Sequence, residues 1–338
     1  MTGKQRIEAA LSGVMPDKRP VMLHNFMAAI YEAGYNHKQY RESPEIAAQC
    51  HIRYAEKYGL DGIFFDVDTA ITASAVGMKV DYPDNEPARA HEIFLNSLDD
   101  IDQLKDIDIS QHPRIIHSLE AVRLLKKHFG NELFIRGNCD QSPFSLACCL
   151  RTPANFMMDL FLDEERTVKL LEYCTKICLQ FIQLMSETGA DMISNGDSPA
   201  GPSMISPELY EQFALPYEKI LQDETRKLDL PYLLHICGDT TLILPQMSKI
   251  GLDAVELDYK TPIDEIHKTF GDKTTVFGTI DPSGIFAFGA PEKVRKEAVK
   301  IFDIYKHNPR LVIGPGCALP PFTPEENIRE IVKIAHNE

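Results

Sequence analysis

The chain has 338 residues, of which 44% are hydrophobic and 25% charged, so it belongs with globular proteins and not with disordered, fibrous or disulfide-stapled small ones. Its 35 Lys and Arg against 50 Asp and Glu give a formal charge of −15, which repels phosphate backbones and anionic membrane surfaces. We therefore expect neither nucleic acid nor a membrane as a partner.

The first residues and the cysteines favour a cytoplasmic location. Residues 1–10 hold no apolar run of signal-peptide length, and no stretch reaches the roughly 18 apolar residues of a membrane span. The eight cysteines are spaced irregularly in a long chain, which is typical of a reducing compartment and not of a disulfide framework. We therefore expect a cytoplasmic protein with free thiols.

Short runs rich in β-branched and aromatic residues, bounded by turn residues, predict eight strands. In chain order they are 21–25, 62–68, 133–138, 192–197, 232–237, 254–258, 275–281 and 311–317. Helical patterns lie between them, such as 167–185 and 291–305, the latter with a proline at its first helical position. Residues 69–130 are expected to hold an excursion and further helices.

This alternation of strand and helix predicts an α/β fold, a (β/α)₈ TIM barrel with an N-terminal helical extension. No G-x-G-x-x-G follows the first strand, so a dinucleotide-binding sheet is not favoured. The chain has no linker rich in Gly, Ser or Pro, no low-complexity tract and no repeat of fixed period. We therefore expect one domain over residues 1–338.

All eight predicted strands end in polar residues, and barrel enzymes build their sites at the C-terminal ends of strands. A single Asp in such a place is more often a helix N-cap than a catalytic group, but polar residues at all eight ends are hard to explain by capping. The residues are His24, Asn25, Asp66, Asp68, Asn138, Asp140, Asp197, His235, Cys237, Glu256, Asp258, Asp281 and Cys317.

Three of these residues predict a metal site. His235 and Cys237 are two positions apart on a strand, which directs both side chains the same way, and Cys317 follows Gly314-Pro315-Gly316 at the eighth strand end. Taken singly, each cysteine is more often buried core. Because a barrel brings these strand ends to one mouth, the set is typical of a zinc site with an open position, and Glu256 is the candidate for a displaceable fourth ligand.

The other cysteines lack this pattern. Cys174 and Cys178 lie four apart within a predicted helix, and we place Cys148 and Cys149 at the start of another. We expect all four to be structural thiols.

A zinc ion bound by two thiolates is a poor generator of hydroxide, but it lowers the pKa of a bound substrate thiol and holds it as a thiolate. A thiolate held beside an electrophile predicts alkyl transfer to sulfur. The electrophile would be a methyl carrier above the barrel mouth, and the acidic chain does not oppose this when the carrier is a separate protein.

Several segments resemble the uroporphyrinogen decarboxylase superfamily. Residues 58–68 and 75–77 resemble its second-strand region, and Asp68 falls where its decarboxylases place the aspartate that binds pyrrole nitrogens. Residues 206–217, 235–240 and 314–317 resemble one branch, the methylcobalamin:coenzyme M methyltransferases and related corrinoid-dependent methyltransferases. The likeness runs through nearly the whole chain.

The resemblance implies a zinc site and a corrinoid carried by a partner protein. In that branch the residues matching His235, Cys237 and Cys317 bind zinc, and the similar zinc site of cobalamin-independent methionine synthase gives Glu256 a matching position. After its first strand the chain reads His24-Asn25 and lacks the paired arginines with which uroporphyrinogen decarboxylases receive substrate carboxylates.

We therefore expect a zinc-dependent methyltransferase that moves a methyl group between a corrinoid protein and a small thiol such as coenzyme M. Asp68, Asn138 and Asp197 are expected to orient the substrate or the corrin edge. His24 is expected to be either a proton acceptor or a hydrogen-bonded structural residue.

Three alternatives remain open. The first is a corrinoid-linked demethylase of a methoxy compound, thioether or methylamine, and the second is a uroporphyrinogen decarboxylase. The third is a barrel that binds a tetrapyrrole or a metal without catalysis, although the open ligand set argues against it, since purely structural zinc sites are usually closed.

Overall fold

The computed structural model describes residues 1–90 and 92–337 and confirms the TIM barrel. Eight parallel strands follow one another in chain order, and a parallel bridge between Val21 and Ile313 joins the first to the last. The strands are β1 (Met22–Leu23), β2 (Gly62–Phe65), β3 (Phe134–Gln141), β4 (Met192–Gly196), β5 (Tyr232–Ile236), β6 (Ala254–Leu257), β7 (Thr275–Phe277) and β8 (Leu311–Val312).

All eight predicted strands are present, but most end earlier than predicted. The predicted strand 62–68 ends at Phe65 and the predicted strand 311–317 at Val312, because their polar ends leave the sheet and enter the following loops. Only β3 continues beyond its predicted end, to Gln141. The polar residues therefore lie more often in the segments that follow the strands, at the C-terminal end of the barrel, than on the strands themselves.

The helices surround the barrel and agree with the predicted patterns. The predicted helix 167–185 lies within α9, and Pro291 is at the first position of α14. The helices are α1 (Gly3–Ser12), α2 (Phe26–Glu32), α3 (His37–Glu42), α4 (Pro44–Tyr58), α5 (Ile71–Ala75), α6 (Pro113–Phe129), α7 (Pro143–Arg151), α8 (Pro153–Leu162), α9 (Glu164–Ser186), α10 (Pro207–Phe213), α11 (Leu215–Lys227), α12 (Leu244–Met247), α13 (Ile263–Phe270), α14 (Pro291–Ile304) and α15 (Glu325–Ala335). Among the residues described, no helix combines the length and apolarity that crossing a membrane requires.

The position of two cysteines differs from the prediction, and the structure shows what the excursion after β2 contains. Cys148 and Cys149 lie near the C-terminal end of α7, not at its start, because that helix begins at Pro143. The excursion between β2 and β3 contains α5, α6, short 3₁₀ turns and an antiparallel pair, Val80–Asp81 with Arg89–Ala90.

The N-terminal extension α1 closes the lower end of the barrel. Thr2 caps this helix by accepting a hydrogen bond from the backbone N–H of Gln5, and its Ile7 and Ala10 are fully buried. They pack with one inward-facing residue from each strand, namely Met22, Phe64, Phe134, Met192, Leu233, Ala254, Phe277 and Val312. Because this layer fills the lower barrel, space for a ligand is left at the C-terminal end.

Candidate metal centre and substrate cavity

A cavity of about 240 Å³ lies at the C-terminal end of the barrel. Most of its wall is apolar, with Phe26, Met27 and Phe64 on one side. Six of the residues with predicted roles line it: His24, Asp68, Asn138, His235, Cys237 and Cys317. The other two, Asp197 and Glu256, lie outside this lining, so the structure brings together most of the predicted site but not all of it.

The side chains of His235, Cys237 and Cys317 converge on one point of the cavity wall. Nε2 of His235 lies 3.1 Å from Sγ of Cys237, which lies 3.4 Å from Sγ of Cys317. All three ligand atoms lie within 4.8 Å of one another, and both cysteines are free thiols. One imidazole nitrogen and two sulfurs facing a cavity fit a zinc ion with one coordination position open to a substrate.

Glycines bring Cys317 to this point. A Cβ atom on Gly314 would lie 2.1 Å from the backbone oxygen of Met22, and one on Gly316 would lie 2.6 Å from that of Leu257. Backbone atoms cannot yield at these distances, so only glycine permits the close approach of neighbouring chain segments. The Gly-Pro-Gly sequence is therefore what places the cysteine beside β5.

The orientation of His235 is set by a hydrogen bond on its other side. Its Nδ1 lies 3.0 Å from the backbone oxygen of Glu256, so the Nδ1–H donates there and Nε2 faces Cys237. A hydrogen bond from the Cys317 thiol, with a further contribution from His235, lowers the pKa of Cys237. This lowering favours the thiolate of Cys237, the form that binds metal.

The carboxylate of Glu256 lies outside this group, and its predicted place as a displaceable fourth ligand stays a prediction. Its Oε1 lies 3.0 Å from Nδ1 of His24, and its Oε2 accepts a hydrogen bond from Arg136. Its distance to His235, 3.5 Å, is to Nδ1, the nitrogen that faces away from the cysteines. Arg136 and His24 hold the carboxylate inside the barrel. It therefore lies on the Nδ1 side of His235, whereas Nε2 of His235 faces Cys237.

His24 bridges two carboxylates. Its Nε2 lies 2.8 Å from Oδ2 of Asp66, and its Nδ1 bonds Glu256. Burial by itself would lower the pKa of His24, but these two carboxylates outweigh it and raise the pKa to about 9. His24 is therefore protonated at neutral pH, which favours its structural role over that of a proton acceptor.

Asp68 and Asn138 line the cavity, but both have protein partners. Asp68 accepts hydrogen bonds from the Arg41 guanidinium, one of them at 3.0 Å, and from the backbone N–H of Ala88 at 2.9 Å. Asn138 donates from its side-chain nitrogen to Asp66. Their predicted role in orienting the substrate stays a prediction, and for Asp68 a bound substrate would have to share or displace Arg41.

Asp197 faces away from the cavity, which corrects its predicted contact with the substrate. The residue is fully buried, and its Oδ1 accepts hydrogen bonds from the backbone N–H and the hydroxyl of Ser145 in the first turn of α7. Burial raises its pKa to about 6. Asp197 thus stabilises the N-terminus of α7. Helix capping was the alternative to a catalytic role for a single Asp at a strand end.

Arg136 lines the cavity but was not among the predicted site residues. It is buried in the barrel, with only 2% of its surface exposed. It lies on β3, and its guanidinium carbon is 3.7 Å from the centre of the Phe64 ring. A charged residue directly after the apolar pair Phe134-Ile135, within a predicted strand, is the signal that could have identified it.

Comparison with known proteins relates the whole chain to one family. The family model "Uroporphyrinogen decarboxylase (URO-D)" matches residues 2–338. A methylcobamide:CoM methyltransferase MtbA of Methanosarcina acetivorans is 32% identical over 276 residues, which cover 81% of this chain and 78% of that protein. A uroporphyrinogen decarboxylase of Chlorobium phaeovibrioides is 28% identical over 307 residues, 88% of this chain and 85% of that protein. In fold, a methyltransferase from Methanosarcina mazei matches with a TM-score of 0.90 at 24% identity, covering 100% of this chain and 98% of that one.

Proposed function

The chain belongs to the uroporphyrinogen decarboxylase family, and from that premise we propose that it is a zinc-dependent methyltransferase that moves a methyl group between a corrinoid protein and a small thiol such as coenzyme M. The observation that carries the proposal is the convergence of His235, Cys237 and Cys317 at the cavity. The similarity to a methylcobamide:CoM methyltransferase supports the reaction class.

The metal ligands in this proposal are His235, Cys237 and Cys317. When bound, zinc lowers the pKa of a coordinated thiol and keeps it as a thiolate nucleophile. The chain's own contribution is to hold the ligand set in place: the backbone oxygen of Glu256 fixes the His235 tautomer, and the hydroxyl of Ser198 accepts a hydrogen bond from the backbone N–H of Cys237 at 3.1 Å.

The cavity gives little support to uroporphyrinogen decarboxylation. Its volume of about 240 Å³ is below the range of drug-sized pockets, and a tetrapyrrole is larger than such ligands. The cationic side chains among its described lining, His24 and Arg136, both already bind Glu256, which leaves them poorly suited to a substrate with many carboxylates. Asp68 is likewise engaged by Arg41.

A protein carrier is supported by the loops around the cavity. Exposed apolar side chains lie on loops that follow β4 to β8, at the end of the barrel where the cavity opens. They are Met204, Leu242, Tyr259, Phe288 and Phe322, and the last two are 83% and 79% exposed. Such side chains at the mouth of a site are suited to contact with another protein.

The test is an assay in which zinc-loaded protein transfers the methyl group of methylcobalamin to a panel of thiols. The change in corrin absorbance measures the reaction. We expect a thiol-dependent change that a chelator abolishes and added zinc restores. The reverse reaction, from methoxy compounds, thioethers or methylamines to cob(I)alamin, is measured in the same way and determines the direction of transfer. Full activity without metal, or release of carbon dioxide from uroporphyrinogen, would contradict the proposal.

A further inference from the structure

Part of the rim of the cavity is formed by the loop of residues 82–88, which joins the antiparallel pair Val80–Asp81 and Arg89–Ala90. Pro87 belongs to the cavity lining and is also exposed to solvent, so it lies where the cavity meets the surface. Its neighbour Ala88 is buried. The position of this loop therefore helps to determine how wide the opening of the cavity is.

The loop is tied to α2 and α3 through four successive backbone oxygens. The two outer oxygens accept hydrogen bonds from the guanidinium of Arg41, and the inner two accept from the backbone N–H of Lys38 and the hydroxyl of Tyr31. Surface loops are usually the mobile part of a structure, so this series of bonds restrains a segment that would otherwise move. The oxygens are those of Pro83, Asp84, Asn85 and Glu86, and the distances are 2.5, 3.0, 3.1 and 2.6 Å, respectively.

Arg41 also joins the loop to the cavity wall. Its Nε and Nη2 bond the two carboxylate oxygens of Asp68, at 2.5 and 3.0 Å, and Asp68 accepts a further hydrogen bond from the backbone N–H of Ala88 at 2.9 Å. Asp68 lines the cavity, and the side chain of Arg41 is only 5% exposed. Because a guanidinium presents five N–H donors in a fixed plane, this one group can connect α3, the loop and the segment after β2.

Neighbouring groups keep Arg41 in this position. The guanidinium carbons of Arg41 and Arg114 lie 5.6 and 4.4 Å from the centre of the Tyr82 ring, and Tyr82 is the first residue of the loop. Arg114 also donates a hydrogen bond to the backbone oxygen of Arg41 at 2.9 Å. Arg41 is not among the residues described as lining the cavity, so its contacts serve to position the loop and not to bind a ligand.

We propose that Arg41 is a positioning residue that determines substrate size: by holding the loop of residues 82–88 at the rim, it keeps the opening narrow and favours slim thiols over bulky ones. That the substrate is a thiol rests on the proposed function, whereas the narrow opening does not depend on methyl transfer. The cavity of about 240 Å³ is smaller than the roughly 300–1,000 Å³ of drug-sized pockets. A loop released from Arg41 should therefore admit molecules that the wild-type protein excludes.

The variant Arg41→Lys separates the loop contacts from the charge. Lysine keeps a positive charge beside Asp68, but its compact ammonium group cannot also bond two backbone oxygens of the loop. Tyr31→Phe is a second, milder variant, which removes one hydrogen bond to the loop and leaves the ion pair of Arg41 and Asp68 intact. We expect both variants to widen the opening, with the smaller effect in Tyr31→Phe, which decides the test if Arg41→Lys does not fold.

The matched control is Arg151→Lys, the same exchange at a buried arginine at the end of α7. Arg151 likewise bonds both carboxylate oxygens of Asp159 and two backbone oxygens of one loop, those of Leu95 and Asn96. None of these four residues belongs to the described lining of the cavity. This control therefore loses comparable contacts without moving the rim.

Cys237 and Cys317 measure the width of the opening without methyl transfer, because both line the cavity as free thiols. Full-length protein freed of metal by a chelator is treated with N-ethylmaleimide or N-(1-pyrenyl)maleimide, which share a reactive group and differ in bulk. Peptide mass spectrometry gives the rates at both cysteines, corrected for the rates with free cysteine. We expect the bulky reagent to react at least about tenfold more slowly in the wild type, and this ratio to fall at least about fivefold in Arg41→Lys and about twofold in Tyr31→Phe.

Two thiols of different bulk test the consequence for the substrate. N-acetylcysteamine and pantetheine share the HS–CH₂–CH₂–NH–CO unit and carry no charge, and methyl transfer from methylcobalamin to each is measured with zinc-loaded protein. In the wild type kcat/KM should be at least about tenfold higher for N-acetylcysteamine, and in Arg41→Lys this preference should fall at least about fivefold through a lower KM for pantetheine. A general loss of stability would instead lower kcat/KM for both thiols alike.

The outcomes distinguish this proposal from the proposed function. An unchanged maleimide ratio in Arg41→Lys and Tyr31→Phe, or an equal change in Arg151→Lys, would overturn the role of Arg41. Wild-type protein that methylates pantetheine as readily as N-acetylcysteamine would do the same and leave the proposed function standing. A maleimide ratio that changes as expected, without methyl transfer to any thiol, would overturn the proposed function alone.

Discussion

Replacement of Cys317 by serine is expected to remove both the metal and methyl transfer. Sγ of Cys317 lies 3.4 Å from Sγ of Cys237 and 4.0 Å from Nε2 of His235, so it completes a set of three ligand atoms. A serine hydroxyl is a poor zinc ligand, and the two remaining ligands cannot hold the ion against dilution. We expect about one zinc per chain in the wild-type protein and less than about one tenth of that in Cys317→Ser.

The loss of methyl transfer in this variant should exceed the 10–100-fold typical of residues that only support a metal ligand. Zinc content by mass spectrometry and the methylcobalamin assay are measured on the same preparation. The matched control is Cys149→Ser, the same exchange at a half-buried thiol near the end of α7, 3.9 Å from Sδ of Met78. Its zinc content and activity should stay near the wild-type values, and retention of both in Cys317→Ser would exclude this metal site.

The barrel and the three-ligand group could be predicted because their signals are local or follow from the fold. Alternation of strand and helix specifies the barrel, and the barrel then brings together residues that are up to 82 positions apart, as His235 and Cys317 are. Side-chain direction on a strand follows a period of two, so His235 and Cys237 could be placed on one side from sequence alone.

Asp197 and Asp140 lie where the two-residue alternation of a strand no longer applies. Asp197 follows Gly196, the last residue of β4, so strand alternation does not determine its direction. Asp140 lies where the register between β3 and β4 shifts, between Asn138 and Gln141, so alternation along β3 does not determine its direction either. Neither effect leaves a mark in the sequence that could have been recognised.

Glu256 illustrates a second limit. Sequence resemblance gives it a position beside the zinc ligands, but its orientation depends on Arg136, which lies 120 residues away on the opposite side of the barrel interior. The pairing of a buried carboxylate with a buried guanidinium is set by packing across the barrel, and no local pattern encodes it. The same pairing has a measurable consequence for stability.

Replacement of Arg136 by methionine is expected to lower the free energy of unfolding by about 3–5 kcal/mol, the usual effect of removing one partner of a buried ion pair. The side chains of Arg136 and Glu256 are only 2% and 4% exposed. Burial by itself would raise the pKa of Glu256, but the charges of Arg136 and His24 lower it below its usual range. Glu256 is thus ionised at neutral pH, and the variant leaves it as a buried charge with His24 as its remaining partner.

Urea unfolding of Arg136→Met, Glu256→Gln and the double variant tests whether the loss of the ion pair causes the loss of stability. Glu256→Gln alone leaves the Arg136 charge uncompensated, whereas Arg136→Met with Glu256→Gln removes both charges, so the double variant should be more stable than the sum of the single effects predicts. The matched control is Arg123→Met on α6, whose partner Glu120 lies 3.6 Å away with both side chains more than 40% exposed. An exposed pair contributes less than about 1 kcal/mol, so this variant should unfold close to the wild type. Additive losses in the double variant would show that Arg136 stabilises the barrel through its contact with Phe64 instead, because that contact does not depend on the charge of Glu256.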